Sequence, residues 1–334
     1  MSGRRVAKMI GLALHQAERA AAFADRSFRR ALLLARSRTN EERESAHWSR
    51  PGKNKVLTWQ DHPVIRQNIN RRVSGDPSVN WLEFFAREFG GHDLTRALNL
   101  GCGRGDLEAH AFSLGLVKSF HSLDLSEGAV AAARERLRGL PVEFERMDLN
   151  RLRLEAGAYD VVFAASSLHH LLDLEHVLDE ARRGLRDGGL LVFNEYVGPS
   201  RFQWTDEQLR IVNELLRGLA PRYRKNLWRG WGLKRRAYRA ALDERNRDSP
   251  FEAARSEEIL PLTAARYEIV MKRDYGGAVL HPLLDGIAGN FCAERALDVE
   301  LLRRLAELEE ELERAGTIAS DFTVVVARKR RGHG

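Results

Sequence analysis

Short apolar runs alternate with amphipathic stretches through the middle and end of the chain. Between residues 174 and 185, apolar side chains recur at the spacing of one helical face. Strands that alternate with helices are typical of an α/β fold built on a parallel sheet. The pattern predicts seven strands, at 97–100, 119–124, 142–147, 159–165, 190–197, 267–272 and 320–328.

A glycine-rich turn follows the first predicted strand. Gly101, Gly103 and Gly105 alternate with other residues, and a helix-like segment comes next. Glycine lets the backbone turn sharply and lie close to a ligand. A strand, a glycine turn and a helix N-terminus together form a nucleotide-type pocket. The spacing is not the dinucleotide fingerprint, because Asp106 stands where that fingerprint has its last glycine.

Acidic residues end the next two predicted strands. Asp124 lies close to the offset of roughly 20 residues at which an acid meets the ribose of a bound nucleotide. Asp148 follows the third strand and is placed to accept a hydrogen bond from an adenine amino group. A generic nucleotide-binding sheet explains the glycines, but it does not explain acids at two consecutive strand ends.

The series from residue 94 to about 197 resembles the class I S-adenosylmethionine-dependent methyltransferases. It comprises the glycine turn, the two acids, a His-His loop at 169–170 and a Gly-Gly turn at 188–189. The resemblance implies a doubly wound, mostly parallel seven-stranded Rossmann-like sheet that binds S-adenosylmethionine and releases S-adenosylhomocysteine. The cofactor contacts that it implies are Asn99, Gly101, Cys102, Gly103, Gly105, Asp124, Leu125, Asp148, Leu149 and Ser166. Asn99 departs from the pattern, because many members carry an acid there.

Composition narrows the class of protein only a little. The chain has 334 residues, of which 43% are hydrophobic, so it is long enough for a substantial core. Two cysteines, Cys102 and Cys292, cannot form a disulfide framework. We find no secretory signal and no apolar run of membrane-spanning length, and we expect a cytoplasmic protein. The net charge of +7 favours anionic partners only weakly.

Residues on both sides of this core predict additional segments. We expect an N-terminal helical extension at 1–90, the cofactor-binding core at 91–199, an inserted cap at 200–254, a continuation of the core at 255–273, a second insertion or lid at 274–319, and the last core strand with a basic tail at 320–334. The basic helix near the N-terminus packs on the domain or on a second subunit, or it attaches to an anionic membrane surface. The charged helix at 298–314 is a second candidate for contact between copies of the chain.

A segment at 222–239 combines many cations with aromatic residues and contains no acid. Three interpretations stay open for it. It is a solvated helix with inward-facing aromatics, a site for an anionic small acceptor, or a nucleic-acid-binding surface.

Methyl transfer to a hydroxyl group requires close approach of donor and acceptor and removal of a proton. The catalytic candidates are His281, His169 and His170, although the adjacent pair also suits a role in holding its loop. Candidate acceptor contacts are Trp48, Trp59, His62, Glu195, Tyr196 and Arg201. Because no cluster has metal-ligand spacing, we expect no metal.

These observations predict methyl transfer to an oxygen atom of a small molecule, such as a natural product, a lipid precursor or a saccharide. The Ala165-Ser166-Ser167-Leu168 loop lacks the Pro-Pro-aromatic motif of many methyltransferases that act on base amino groups. A nucleic-acid methyltransferase remains an alternative because of the 222–239 segment. A non-catalytic, cofactor-binding partner protein is the other alternative.

Overall fold

The computed structural model describes residues 37–49, 56–91, 94–239 and 249–330. Most of the predicted N-terminal basic helix and the end of the basic tail lie outside this part of the chain. The chain divides into two compact units, 1–42 and 43–334. Of the first unit, the structure describes only residues 37–42, which begin helix α1 (Ser37–Ser49). The sheet and the site described below belong to the second unit.

Seven strands form a single sheet, as the sequence predicts. The spatial order is β3-β2-β1-β4-β5-β7-β6. β7 is antiparallel to both of its neighbours, and the other pairs are parallel. The strands are β1 (Arg96–Leu100), β2 (Ser119–Asp124), β3 (Val142–Arg146), β4 (Tyr159–Ala165), β5 (Leu185–Tyr196), β6 (Tyr267–Gly276) and β7 (Phe322–Lys329).

Helices connect the strands and cover both faces of the sheet. Five of the described α-helices begin at a residue whose side chain accepts a free backbone N–H group of the first turn; these residues are His62, Asn80, Ser126, Asp173 and Thr205. Asn80 and Glu83 form a reciprocal capping box. The remaining helices are α2 (Pro63–Ser74), α3 (Trp81–Phe89), α4 (Asp106–Ser113), α5 (Glu127–Arg136), α6 (Leu174–Gly184), α7 (Asp206–Gly218), α8 (Ile259–Arg266), α9 (Leu280–Leu284) and α10 (Ala296–Arg314).

The central strands are apolar on both sides because helices cover both sides. In β4, side chains 159–164 are all buried. Neighbouring residues point to opposite faces of a strand. Val161 accordingly packs in the apolar cluster that contains Phe85, whereas Val162 packs in the cluster that contains Leu178. The two apolar clusters thus cover the two faces of the sheet.

Two strands extend further than the sequence predicts. β5 starts at Leu185 rather than at Leu190, and its pairing with β4 is interrupted by an irregularity before it resumes at Leu190. Gly188, which we expected to lie in the turn that ends the preceding helix, is in the irregular part, with φ of 75°. A strand accommodates such residues by a bulge. β6 continues to Gly276, past the predicted boundary at 273.

The segment between β6 and β7 forms α9 and α10. Helix α10 packs against α2. Its Glu309 is fully buried and accepts hydrogen bonds from the backbone N–H groups of Gly277, Val279 and Leu280. One side of α10, the helix predicted to contact a second copy of the chain, is therefore packed against other parts of the same chain. Within the described residues, no helix combines the length and the apolar character that crossing a membrane requires.

Candidate cofactor and active site

The glycine turn is tied to the neighbouring strand. The backbone N–H groups of Gly101 and Cys102 both donate to the carbonyl oxygen of Leu123, at 2.8 and 2.9 Å. Gly101 has φ of 84°, and a Cβ atom there would overlap the Cβ atom of Ser167. Both the conformation and the close approach therefore require glycine.

Asp124 closes the turn at the end of β2. Its Oδ2 accepts from the Gly103 N–H and its Oδ1 from the Ser126 N–H, each at 2.8 Å. Burial raises the pKa of Asp124, and the two hydrogen bonds to the carboxylate oppose that rise. The acid predicted for the ribose thus also orders the loop around it.

Most of the predicted cofactor residues border a single cavity of about 300 Å³. This volume is at the lower end of the roughly 300–1,000 Å³ that is usual for small-molecule sites. The lining includes Asn99, Gly101, Cys102, Gly103, Asp124, Leu125, Asp148, Leu149 and Ser166. Gly105 is not part of the lining; it begins α4 with φ of 79° and packs on Leu137.

Asn99 has an acid directly behind it. Its amide Nδ2 donates to Glu108 Oε1 at 2.8 Å, and the same oxygen accepts from Ser122 Oγ at 2.6 Å. Burial raises the pKa of Glu108. Among the described residues, the buried Oδ1 of Asn99 has no hydrogen-bond partner. A buried acceptor without a partner in a cavity wall fits a ligand that brings a donor group, as the amino groups of S-adenosylmethionine do.

A cluster of histidines and carboxylates lies next to the cavity. His169 Nδ1 lies 2.7 Å from Glu195 Oε2, and Glu195 Oε1 accepts the N–H groups of Ser167 and Leu168 at 2.5 and 2.7 Å. Burial lowers the pKa of His169, but the charges of Glu195 and Glu252 outweigh it and raise this pKa to about 10. Glu195 therefore orients the imidazole and shapes the loop after β4.

His170 lines the cofactor cavity together with Glu44 and Phe251. His170 Nδ1 is 3.2 Å from Glu44 Oε1, and Glu44 also accepts from Ser249 Oγ at 2.8 Å and from the Phe251 N–H at 3.2 Å. Sequence reasoning missed Glu44 and Phe251 as site residues. Neither belongs to a local motif, and both reach the cavity only because distant parts of the chain meet there. Other lining residues that the sequence analysis did not select are Arg104, Asp106, Leu107, Asn150, Ala165, Ser167 and Leu171.

Several predicted acceptor and catalytic residues meet in an aromatic cluster. His281 is surrounded by Trp59, Tyr196, Phe202, Trp204 and Phe322, with ring centroids 5.4–6.1 Å away. Tyr196 also contacts His169 edge-on, at 6.5 Å between centroids. The Tyr196 ring therefore contacts both clusters and joins the aromatic cluster to the histidine–carboxylate cluster.

The remaining predicted acceptor residues lie elsewhere. His62 is buried; its Nδ1 accepts the Val64 N–H at the start of α2, and its Nε2 lies 3.1 Å from the carbonyl oxygen of Phe291. These contacts give it a structural role. Arg201 hydrogen-bonds the carbonyl oxygens of Pro250 and Glu252. The side chain of Trp48 lies outside the described residues.

The basic segment at 222–239 is not a helix. It holds one short 3₁₀ turn, Pro221–Arg224, and a bridge between Lys225 and Leu233. The interpretation as a solvated helix with inward aromatics is therefore wrong, because glycines 230 and 232 adopt positive φ and break regular structure. Tyr223 is buried, but Trp228, Trp231 and Tyr238 are exposed, and Trp228 and Tyr238 border a surface cavity of about 420 Å³.

An open seven-stranded sheet of this order, with a glycine turn and two acids at its carboxyl edge, defines a nucleotide-binding α/β protein of the methyltransferase type. Residues 98–193 match the family model described as "Methyltransferase domain". This part of the chain is a class I methyltransferase domain, and its cofactor is S-adenosylmethionine.

Curated relatives match the same part of the chain. The 37.1 kDa protein in transposon TN4556 of Streptomyces fradiae is 42% identical over 101 residues, which are 30% of this chain and 29% of that protein. The 27-O-demethylrifamycin SV methyltransferase of Amycolatopsis mediterranei is 31% identical over 126 residues, 36% of this chain and 46% of the enzyme. The malonyl-[acyl-carrier protein] O-methyltransferase of Bacillus anthracis is 30% identical over 117 residues, which are 35% of this chain and 43% of that enzyme. The chain thus matches less than half of the length of each of these relatives.

Proposed function

We propose that this protein transfers the methyl group of S-adenosylmethionine to an oxygen atom of a small molecule. One observation carries the proposal. The cavity that gathers the glycine turn, Asp124 and Asp148 also has His170 in its wall. The same site thus holds groups for binding a nucleoside and a group that can handle a proton.

The names of two relatives support oxygen as the acceptor atom. One relative is a 27-O-demethylrifamycin methyltransferase and the other is a malonyl-[acyl-carrier protein] O-methyltransferase. Their acceptors differ widely in size and chemistry. This variety suits a common cofactor domain with variable surrounding segments, such as 200–254 and 274–319 in this chain.

The residues of the cavity suit the parts of the cofactor. Asp124 would accept hydrogen bonds from the ribose hydroxyls, Asp148 would accept from the adenine amino group, and Asn99 Oδ1 would accept from the ammonium group. When bound, S-adenosylmethionine supplies a methyl group on a positively charged sulfur, which makes that methyl group electrophilic. Leu171 and Phe251 add apolar surface to the wall and help to exclude water.

A hydroxyl acceptor must lose its proton as it attacks. We place the acceptor beside His170, which borders the cavity, with His169 held behind it by Glu195. His281, Trp59 and Tyr196 would form the more distant, apolar part of the acceptor site, and Arg201 would lie at its edge. His281 remains a candidate base for an acceptor that reaches into the aromatic cluster.

Nucleic acid is the second candidate acceptor. Trp228, Trp231 and Tyr238 are exposed among the cations of the 222–239 segment. Exposed aromatic rings between cations suit base stacking with phosphate contacts. A protein that binds the cofactor without transferring its methyl group is the third candidate.

The experiment is methyl transfer from labelled S-adenosylmethionine in a host extract, followed by size separation and by nuclease and protease treatment. We expect label in a low-mass, nuclease-resistant fraction, and we expect its loss with the Asp124→Ala variant, which controls for other methyltransferases in the extract. Label that nuclease releases from large material would instead support a nucleic-acid acceptor. Tight cofactor binding with no label in any fraction of a complete extract would favour the non-catalytic alternative.

A further inference from the structure

Three side chains converge beside the cofactor cavity. One ligand atom each from His169, His170 and Glu252 lies within 4.8 Å of the other two. His169 Nε2 is 3.6 Å from Glu252 Oε1, and His170 Nε2 is 3.9 Å from Glu252 Oε2. We propose that these three residues bind a divalent transition-metal ion such as Zn²⁺.

The distances suit a shared ion better than direct hydrogen bonds. A well-formed hydrogen bond from an imidazole N–H to a carboxylate is about 2.7–3.2 Å long, and both Glu252 separations exceed that range. Metal–ligand bonds of about 2.0–2.2 Å place neighbouring ligands of a tetrahedral ion roughly 3.3–3.6 Å apart. The two Glu252 separations lie within a few tenths of an ångström of this spacing, and the ligand atoms of all three residues lie within 4.8 Å of one another.

One of the two histidines, His169, is also oriented in the way that metal ligands are oriented. His169 Nδ1 forms a hydrogen bond of 2.7 Å with Glu195 Oε2, whereas the contact between His170 Nδ1 and Glu44 Oε1, at 3.2 Å, is an ion-pair contact only. A carboxylate that accepts the Nδ1 proton fixes the tautomer whose Nε2 carries the lone pair, and carboxylate–histidine–metal arrangements of this kind are the rule in metalloproteins. Here both Nε2 atoms face the same carboxylate, that of Glu252.

The donor set of the cluster suits a transition-metal cation. Glu44, Glu195 and Glu252 contribute three carboxylates to the surroundings of the two histidines, and the Arg201 guanidinium interacts with two of them, Glu44 and Glu252. Two imidazoles and one carboxylate are donors that zinc and its first-row neighbours accept readily.

The site is hidden in the linear sequence, which shows two adjacent histidines and no third ligand at metal-binding spacing. Glu252 is far along the chain and reaches the loop after β4 because the Ala254 N–H donates to the His169 carbonyl oxygen at 3.0 Å. His170 and Glu44 both line the cofactor cavity, so the ion would lie at its border. There it would bind an acceptor oxygen and lower the pKa of an acceptor hydroxyl, and it would take over the role in proton removal given above to His170, whose Nε2 would then be coordinated. This role, unlike the metal site itself, rests on the proposed function.

Metal binding is measured on the full chain without a histidine tag, after treatment with a chelator and with no methyl donor or acceptor present. We expect calorimetry to show one Zn²⁺ per chain, and Co²⁺ to give visible absorption bands that Zn²⁺ abolishes. Glu252→Gln should weaken Zn²⁺ binding at least about tenfold and remove the bands. The matched control is Glu257→Gln, an exposed glutamate five residues further along the chain, which should bind Zn²⁺ as the wild type does.

Glu195→Gln is the second variant. It leaves all three ligands in place, and as the partner of a ligand it should weaken binding about 10–100-fold. Circular dichroism and S-adenosylhomocysteine binding confirm that each variant is folded. Absence of a stoichiometric Zn²⁺ site in the wild type, or equal affinity in folded Glu252→Gln, would overturn the proposal. Because this assay involves no methyl transfer, its outcome is independent of whether the proposed function holds.

Discussion

Replacement of Asp124 by alanine tests where the cofactor lies. The carboxylate borders the cavity and accepts the N–H groups of Gly103 and Ser126, each at 2.8 Å. A hydrogen bond to a charged group is worth about 1.5–3 kcal/mol. If the ribose hydroxyls bind this carboxylate, the variant should bind S-adenosylmethionine about 10- to 150-fold more weakly.

The same substitution also loosens the turn, so affinity and stability must be measured together. We expect the loss of two N–H acceptors to lower the free energy of unfolding by roughly 2 kcal/mol. Asp124→Asn should fall between the wild type and Asp124→Ala in stability. The amide oxygen of asparagine can still accept one of the two backbone N–H groups. Its amide NH₂ group, however, is a donor and would face the other N–H group.

Isothermal calorimetry with S-adenosylmethionine and S-adenosylhomocysteine gives the affinities, and urea unfolding gives the stabilities. Asp106→Ala is the matched control, because Asp106 borders the same cavity while its side chain is 80% exposed and is paired with Arg136. It should change the affinity by less than about threefold, since exposed ion pairs contribute little. A folded Asp124→Ala variant with wild-type affinity for both ligands would refute the placement of the ribose at β2.

Three further predictions concern the glycine turn, a buried ion pair and a buried acid. Gly101→Ala should abolish cofactor binding and destabilise the protein by several kcal/mol, since the φ of 84° is strained for alanine and the new Cβ atom would overlap Ser167. The comparison variant is Gly103→Ala, whose Cβ atom would meet open space. It should unfold at a higher urea concentration than Gly101→Ala. Arg255→Met should lower the free energy of unfolding by about 3 kcal/mol, because it leaves the Glu175 carboxylate without its two hydrogen bonds of 2.6 and 2.8 Å; an unchanged urea midpoint would contradict this. Burial and, to a smaller extent, the charge of Glu309 raise the pKa of Asp321 to about 8, so the contribution of Asp321 to the free energy of unfolding should decline as the pH rises from about 4 to about 8. Asp321→Asn should flatten this pH dependence. Equal slopes of stability against pH in the wild type and the variant would refute the raised pKa of Asp321.

The sequence indicated the strands of the sheet well because their signal is local. The run 159–165 became β4 with the predicted bounds, since helices cover both of its faces and its positions are apolar apart from Asp160, which accepts the Thr95 and Arg96 N–H groups. Prediction was weaker for β5, where Gly188 and Gly189 resembled a helix stop. A glycine pair signals a sharp change of backbone direction, and only the partner strand determines whether that change is a turn or a bulge.

The cofactor site could likewise be read from the chain, because its residues follow one another at the ends of successive strands. Parallel strands bring these ends to one edge, so the turn at 101–105, Asp124 and Asp148 were predictable as neighbours. The structure adds Glu108 on α4, whose carboxylate accepts a hydrogen bond from the Asn99 amide.

What the sequence determined by itself was therefore the class of sheet and the group of cavity residues that we propose to bind a nucleoside. Tertiary structure decided the rest of the site. Glu44 and Glu252 come from segments on either side of the core, and no periodicity or spacing predicts that they meet at His169 and His170. Helix and strand patterns depend on neighbours within a few residues, whereas a cluster of buried charges depends on how distant loops pack and which hydrogen bonds they leave to be satisfied.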